Sequence, residues 1–369
     1  MSARSQVASF LCVLCCACAG AVPDPARMAE DLPPFREVSA ARRAELDAEV
    51  EQARAALVAG DPDSARAVVQ RVLEYDPRHP RARAILGQCH LIAATASAPP
   101  QLEEFRLAEG ELRRATALAP SDPLVARFHA GFLIADGHLS AAAERVAQAL
   151  AFLPHDPDLL ELGGRINFDL GNERAAVPLL TQRLELVPGD AESTWRLAWC
   201  QARLCAAADD AAERSVRANA AAAAFQRYVQ LVPGDVEGLL GEAWTRMQAL
   251  PREAHPGDLE PILALYDSAA RLRPESAAAR FGRALALQRA GRLPEMRDAL
   301  RETLSLDPHH AGAVLELAAD AATDGRAEEA RTWYRRALEL DLDPRERRRV
   351  SSWLEGAADG KDQQSSGRR

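Results

Sequence analysis

Lysine is nearly missing from this 369-residue chain: Lys361 is the only one, and every other basic residue is arginine. That bias is compositional and identifies no ligand. Aromatic residues make up only 5%, while alanine supplies about a fifth of the sequence. So few aromatic positions exclude a β-sandwich or barrel, whose strands need them together with β-branched residues; an alanine-rich chain with 27% charge reads as a helical assembly. Basic charge is also short. Against 45 Lys and Arg stand 54 Asp and Glu, a formal net charge of −9. Neutralising phosphates requires clustered basic side chains, so a general nucleic-acid binder is excluded.

Cysteine is scarce after residue 18, where only Cys89, Cys200 and Cys205 remain. These are too few and too scattered for a disulfide framework, and the spacing of Cys200 and Cys205 puts them on different faces of a helix. They read as buried small hydrophobes. The first residues look like an export signal instead. Arg4 is followed by an apolar run, Val7 to Cys16, and then by small residues. The run is too short to span a bilayer. Two fates are open: cleavage after Ala21, where Ala19-Gly20-Ala21 fits the A-x-A pattern, or lipidation of Cys18 within a degenerate lipobox at 14–18. Either places the chain in the periplasm or cell envelope, the second with a membrane attachment through the lipid. Residues 1–21 are thus the signal, and residues 22–40, with Pro23, Pro25, Pro33 and Pro34, read as a tether.

What the chain has in abundance is periodicity. Apolar stretches end before Pro77, Pro120, Pro154, Pro188, Pro233, Pro274, Pro308 and Pro344, at intervals of 43, 34, 34, 45, 41, 34 and 36 residues. A period of 34 with three oversize intervals is the signature of a helical solenoid with insertions in its second, fifth and sixth units. Seventeen residues before five of these prolines stands glycine (Gly60, Gly137, Gly171, Gly257, Gly291), suited to a left-handed turn between two helices. Ten residues after the first seven prolines the residue is always small: Gly87, Ala130, Gly164, Ala198, Ala243, Ala284 and Ala318. A close helix crossing requires this. Ala65, Ala108, Ala142, Ala176 and Ala221 supply the facing half. Asp61-Pro62, Asp122-Pro123, Asp156-Pro157 and Asp343-Pro344 place an N-cap before a first-turn proline.

This pattern resembles the tetratricopeptide repeat family, whose 34-residue unit carries small residues at positions 8, 20 and 27 and proline at 32. Ala130, Ala142, Ala149 and Pro154 match all four, and Ala318, Ala330, Tyr334 and Ala337 mark the eighth unit. Arg183, Tyr228 and Thr303 depart at position 27, and Ile262 and Met296 at position 20, so those repeats are expected to pack less regularly. The resemblance implies an all-α, right-handed α-solenoid of about eight hairpins over 41–356. This span includes a capping helix marked by the Val350, Trp353, Leu354 stripe, with a disordered tail at 357–369.

Catalytic signals are missing. The chain has no H-E-x-x-H, G-x-S-x-G, G-x-x-x-x-G-K-[ST] or paired CxxC pattern, so no catalytic residue, metal ligand or cofactor is assigned. His309 and His310 lie at a turn and read as solvated. His90 and His129 read as packing residues on first helices. Among the insertions, 93–100 and 250–258 read as loops, and 206–217 as lengthened helices. Arg345, Arg347, Arg348 and Arg349 read as an exposed face.

In the resembled family, positions 2, 5, 9, 12 and 13 of the first helix line a concave groove. Trp195 and Phe281 occupy position 5, Trp199 and Trp244 position 9, and Arg203 position 13. Arg165 and Phe168 occupy positions 9 and 12 of the fourth repeat. Aromatic and arginine side chains anchor recognition surfaces. The alternative is that these rings cover neighbouring helices, a one-residue slip placing Trp195 at a structural aromatic position. The expected function is a non-catalytic scaffold holding a protein or peptide in the groove, without nucleic acid. Two other readings stay open: an envelope assembly or maturation factor that presents substrate to a separate enzyme, and, more weakly, a groove-based enzyme acting on glycans or peptides.

Overall fold

The computed structural model describes residues 39–96, 99–251 and 254–366, with side chains as far as Gly356 in the last stretch. The export signal, Cys18 and all but the end of the tether lie outside the described residues. Within them the chain forms seventeen α-helices. Eight hairpins follow in order: α1 (Ala40–Val58) with α2 (Pro62–Tyr75), α3 (Pro80–Thr95) with α4 (Leu102–Leu118), α5 (Pro123–Ala135) with α6 (Leu139–Phe152), and α7 (Pro157–Asp169) with α8 (Glu173–Leu186). Then come α9 (Ala191–Ala207) with α10 (Ala211–Leu231), α11 (Glu237–Ala249) with α12 (Glu260–Leu272), α13 (Ala277–Arg289) with α14 (Leu293–Leu306), and α15 (Ala311–Thr323) with α16 (Ala327–Leu338). A last helix, α17 (Pro344–Ser366), follows them. This is an all-α solenoid of eight helical hairpins. No described helix is long and apolar enough to cross a membrane.

Two compact units divide within α9, between Arg196 and Leu197. In the first, the leading helices of successive hairpins pack side by side (α1 on α3, α3 on α5, α5 on α7), and each also packs on its own second helix. In the second, α11 packs on α13 in the same way.

Local chemistry sets the ends of these helices. The Asp61 carboxylate accepts from the Ser64 N–H at 3.0 Å, and Asp156 accepts from Leu159 N–H at 2.9 Å, satisfying orphan donors of α2 and α7. Gly60, Gly137, Gly171 and Gly291 adopt φ of +80°, +78°, +71° and +74°, the left-handed turn expected of them. Gly257 does not. It sits in a 3₁₀ turn, Pro256–Leu259, capped by His255, inside the insertion expected to be a plain loop. The eighth hairpin turns at Gly325 (φ +73°), which the proline spacing missed because its closing proline is displaced by two residues.

The small residues ten positions after each proline are all buried. Ala130, Ala198, Ala243, Ala284 and Ala318 have no exposed surface. A Cβ on Gly87 would lie 2.7 Å from Leu112 Cγ, and one on Gly164 would lie 2.5 Å from Leu180 Cδ2, so the two helices of those hairpins touch where a methyl group has no room.

The departures from the repeat pattern do not loosen packing as expected. Ile262 and Met296 are buried in the core of the second unit. Arg183 and Tyr228 each reach seven residues ahead to the aspartate of a Pro-Gly-Asp turn: Arg183 donates to Asp190 at 2.9 Å and the Tyr228 hydroxyl donates to Asp235 at 2.5 Å. In α17, Val350 is buried, and the Trp353 ring lies 4.6 Å from that of Tyr334. The apolar stripe therefore closes the end of the core, as a capping helix must. The insertion at 206–217 lengthens α9 and α10 to 17 and 21 residues.

Candidate functional site

In the first unit, α3, α5, α7, the end of α8 and the start of α9 line an open pocket of about 600 Å³. Its wall uses Arg127 and Gly131 from α5, Asp158, Glu161 and Arg165 from α7, and Glu192 from α9. These are positions 2, 5 and 9 of their repeats, so the register counted from the prolines converges here. Phe128, Leu162 and Val187 add apolar surface. A Cβ at Gly131 would meet nothing within 4 Å, which makes that position open floor.

The charges of the wall are largely paired. Arg127 donates to Asp158 at 2.5 Å across one repeat. Arg183 bonds Asp190, with Asp158 within 3.9 Å. Arg196, buried behind the wall, bonds Glu192 at 2.7 Å and approaches Glu161 at 3.8 Å. Burial opposes the charge of Asp190. The Ser193 N–H, the Arg183 guanidinium and the Ser193 hydroxyl together outweigh it and hold the carboxyl below its ordinary range. Arg165 is different. It is half-buried and makes no hydrogen bond or ion pair with any described residue.

Among the other candidate groove residues, Phe168 and Trp195 meet in the first unit with ring centres 5.5 Å apart. In the second unit, Trp199 lies 6.0 Å from Trp244 and stands edge-on to the buried Phe225 at 5.4 Å. Both tryptophans are half-buried and lean on the small core of Ala198, Ala202, Ala221 and Phe225, so each covers a helix with one face and presents another outward. Arg203 is exposed on α9. Phe281 packs against His310 with ring centres 4.5 Å apart and planes tilted by 46°, and His310 also caps α15 by accepting the Ala313 N–H at 3.1 Å. The solvated ring expected at His310 is thus a packed capping residue. An imidazole nitrogen can substitute for the usual cap oxygen, a role its position directly before a helix could have signalled.

The remaining titratable groups are structural. His129 shares a 2.8 Å hydrogen bond with Thr116. Its burial, with the charges of Arg145 and Arg113, depresses its pKa to about 4. Burial pushes the Cys89 thiol up to about 11, far from a nucleophilic thiolate. Cys200 and Cys205 are buried and form no disulfide among the described residues. No group of three or more His, Cys, Asp or Glu poised to hold a metal ion occurs among the described residues.

The family model that matches this chain is that of the tetratricopeptide repeat, over residues 50–95 and 297–346. Among solved structures, a tetratricopeptide repeat protein from Parabacteroides merdae aligns over 85% of this chain and 98% of its own, at 13% identity and a TM-score of 0.47. PilF of Pseudomonas aeruginosa aligns over 65% of this chain and 97% of its own, at 18% identity and a TM-score of 0.48. A thermophilic tetratricopeptide repeat protein of Thermus thermophilus covers 54% of this chain and 99% of its own, at 25% identity and a TM-score of 0.43. No curated protein matches.

Proposed function

Because this chain belongs to the tetratricopeptide repeat family, whose members bind protein or peptide partners, we propose that it is a non-catalytic scaffold that holds a partner against the inner helix faces of its first unit. The observation that carries this reading is the pocket of about 600 Å³ walled by positions 2, 5 and 9 of three successive repeats. A packed core would leave no such volume beside Gly131. The aromatic pairs Phe168–Trp195 and Trp199–Trp244 add large, rigid contact surface in each unit. The scaffold is exported to the cell envelope, with its amino terminus released after Ala21 or lipidated at Cys18.

Site-specific photo-crosslinking in producing cells tests the binding face. A benzophenone side chain at Gly131 should capture one partner, and the same group at Glu185, exposed on α8, should not. Equal capture from both positions, or none from Gly131, overturns the reading. Mass spectrometry of the mature protein tests export: it should find Val22 at the amino terminus or a diacylglyceryl-modified Cys18. An intact Met1 refutes both.

A further inference from the structure

We propose that the first unit's pocket receives an extended peptide segment through one acidic side chain, whose carboxylate seats on Arg165. The inference rests on the scaffold reading above and names the chemistry of its partner.

Three arginines reach the pocket wall. Arg127 and Arg183 are neutralised by Asp158 and Asp190 at 2.5 and 2.9 Å. Arg165, one turn beyond Glu161 on the same helix, forms no ion pair among the described residues. A half-buried guanidinium without a partner has lost part of its hydration and regained nothing for it. A planar carboxylate is the group that matches its paired N–H donors, and the resulting bond is charge-assisted on both sides.

The rest of the wall limits what can bring that carboxylate. With Arg196 behind the wall, four arginines face Asp158, Glu161, Asp190 and Glu192, so the site has no net positive charge: Arg165 alone draws one carboxylate, and a second negative charge is repelled. A phosphate dianion or a doubly acidic terminus is disfavoured on that count. Phe128, Leu162 and Val187 offer apolar contact beside the arginine, which calls for an apolar neighbour on the peptide. The lining runs across four successive leading helices, and the open floor at Gly131 lies one repeat before Arg165 at the same register position. A chain passing through fits this shape better than a chain end does. The occupant is therefore an internal Asp or Glu flanked by apolar residues.

Selection from a random peptide library, displayed with both peptide ends blocked, tests the proposal on the mature full-length protein. Wild-type protein should enrich peptides with a single Asp or Glu beside an apolar residue. Arg165→Glu should weaken those peptides at least tenfold and shift the enrichment towards Lys or Arg. Gly131→Trp, which fills the open floor, should abolish selection without lowering the thermal unfolding midpoint. Peptides that are lost with Gly131→Trp but show no acidic preference overturn the carboxylate inference and leave the scaffold reading standing. Enrichment that Arg165→Glu does not alter, or that appears only when free C-termini are displayed, also overturns it. Selection that yields nothing, or that Gly131→Trp does not affect, overturns both.

Discussion

Arg183 donates its Nε–H to the carboxylate of Asp190 across 2.9 Å, joining the end of α8 to the turn that begins α9. The same carboxylate caps α9 through the Ser193 N–H at 3.0 Å and accepts the Ser193 hydroxyl at 2.9 Å. One side chain thus closes the turn, caps a helix and faces the pocket. Asp190→Ala removes both roles and should cost about 1–2 kcal/mol as a lost cap. Arg183→Ala removes only the ion pair and should cost less than about 1 kcal/mol. Urea unfolding of the two variants and the double variant gives the coupling. Equal losses from the two single variants would show that the cap contributes nothing.

The same geometry sets an acid dependence. The Asp190 carboxyl is held below its unfolded value of 3.8, so its contribution is fully present above that value and is lost as pH falls through the lower folded value. Stability of wild-type protein should therefore decline more steeply below pH 3.8 than that of Asp190→Asn. Parallel curves for the two proteins in this range would contradict the pairing.

His129 acts at higher pH. The unfolded ring takes a proton below its ordinary value of 6.5, while the buried ring resists until about 4. The unfolded state then binds more protons across that window, so stability falls on acidification from pH 6.5 to about 4, by up to about 3 kcal/mol. His129→Gln keeps a hydrogen-bonding partner for Thr116 without the titration and should flatten the curve. Thermal melts between pH 4 and 7 measure it, and an unchanged slope would show that His129 is not the group responsible.

Two glycines on neighbouring leading helices should respond in opposite directions to the same methyl group. Gly164→Ala drives a Cβ into Leu180 and should destabilise by about 1–3 kcal/mol. Gly131→Ala meets open space on a helix and should stabilise by about 0.5–1 kcal/mol. Thermal midpoints that move in the same direction would refute the difference in packing.

Trp199 tests how far a candidate groove ring belongs to the core. A ring standing free in a groove can be truncated for less than about 1 kcal/mol, and a fully buried one for roughly 3–5 kcal/mol. Half-buried and edge-on to Phe225, Trp199 should lose roughly 1–2 kcal/mol on truncation to Ala. Ala198→Leu, at the buried crossing beside it, should lose about 1–3 kcal/mol by overpacking. A loss of 3 kcal/mol or more in folding would make the ring a core residue.

The repeat architecture was legible from the sequence because its causes are local and recur. A proline, a capping aspartate and a left-handed glycine act within a few residues of themselves, and a close helix crossing demands a small residue each time the unit returns. Gly257 marks the limit of that reasoning, since a glycine at the right distance was claimed by the 3₁₀ turn that His255 caps. Of the pocket wall only Arg165 was named from the sequence as a groove residue; Arg127, Gly131, Asp158, Glu161 and Glu192 share its register positions, and only tertiary structure decided what each does there. Arg127 finds Asp158 across 31 residues, Arg196 finds Glu161 across 35, and Arg165 finds no partner among the described residues. Likewise, Gly282 exists to admit the Tyr266 ring, which no spacing within its own helix announces. Such outcomes depend on distances between side chains of different repeats. A period specifies which faces meet, while only the packed helices determine which charges are close enough to pair and which one is left for a partner.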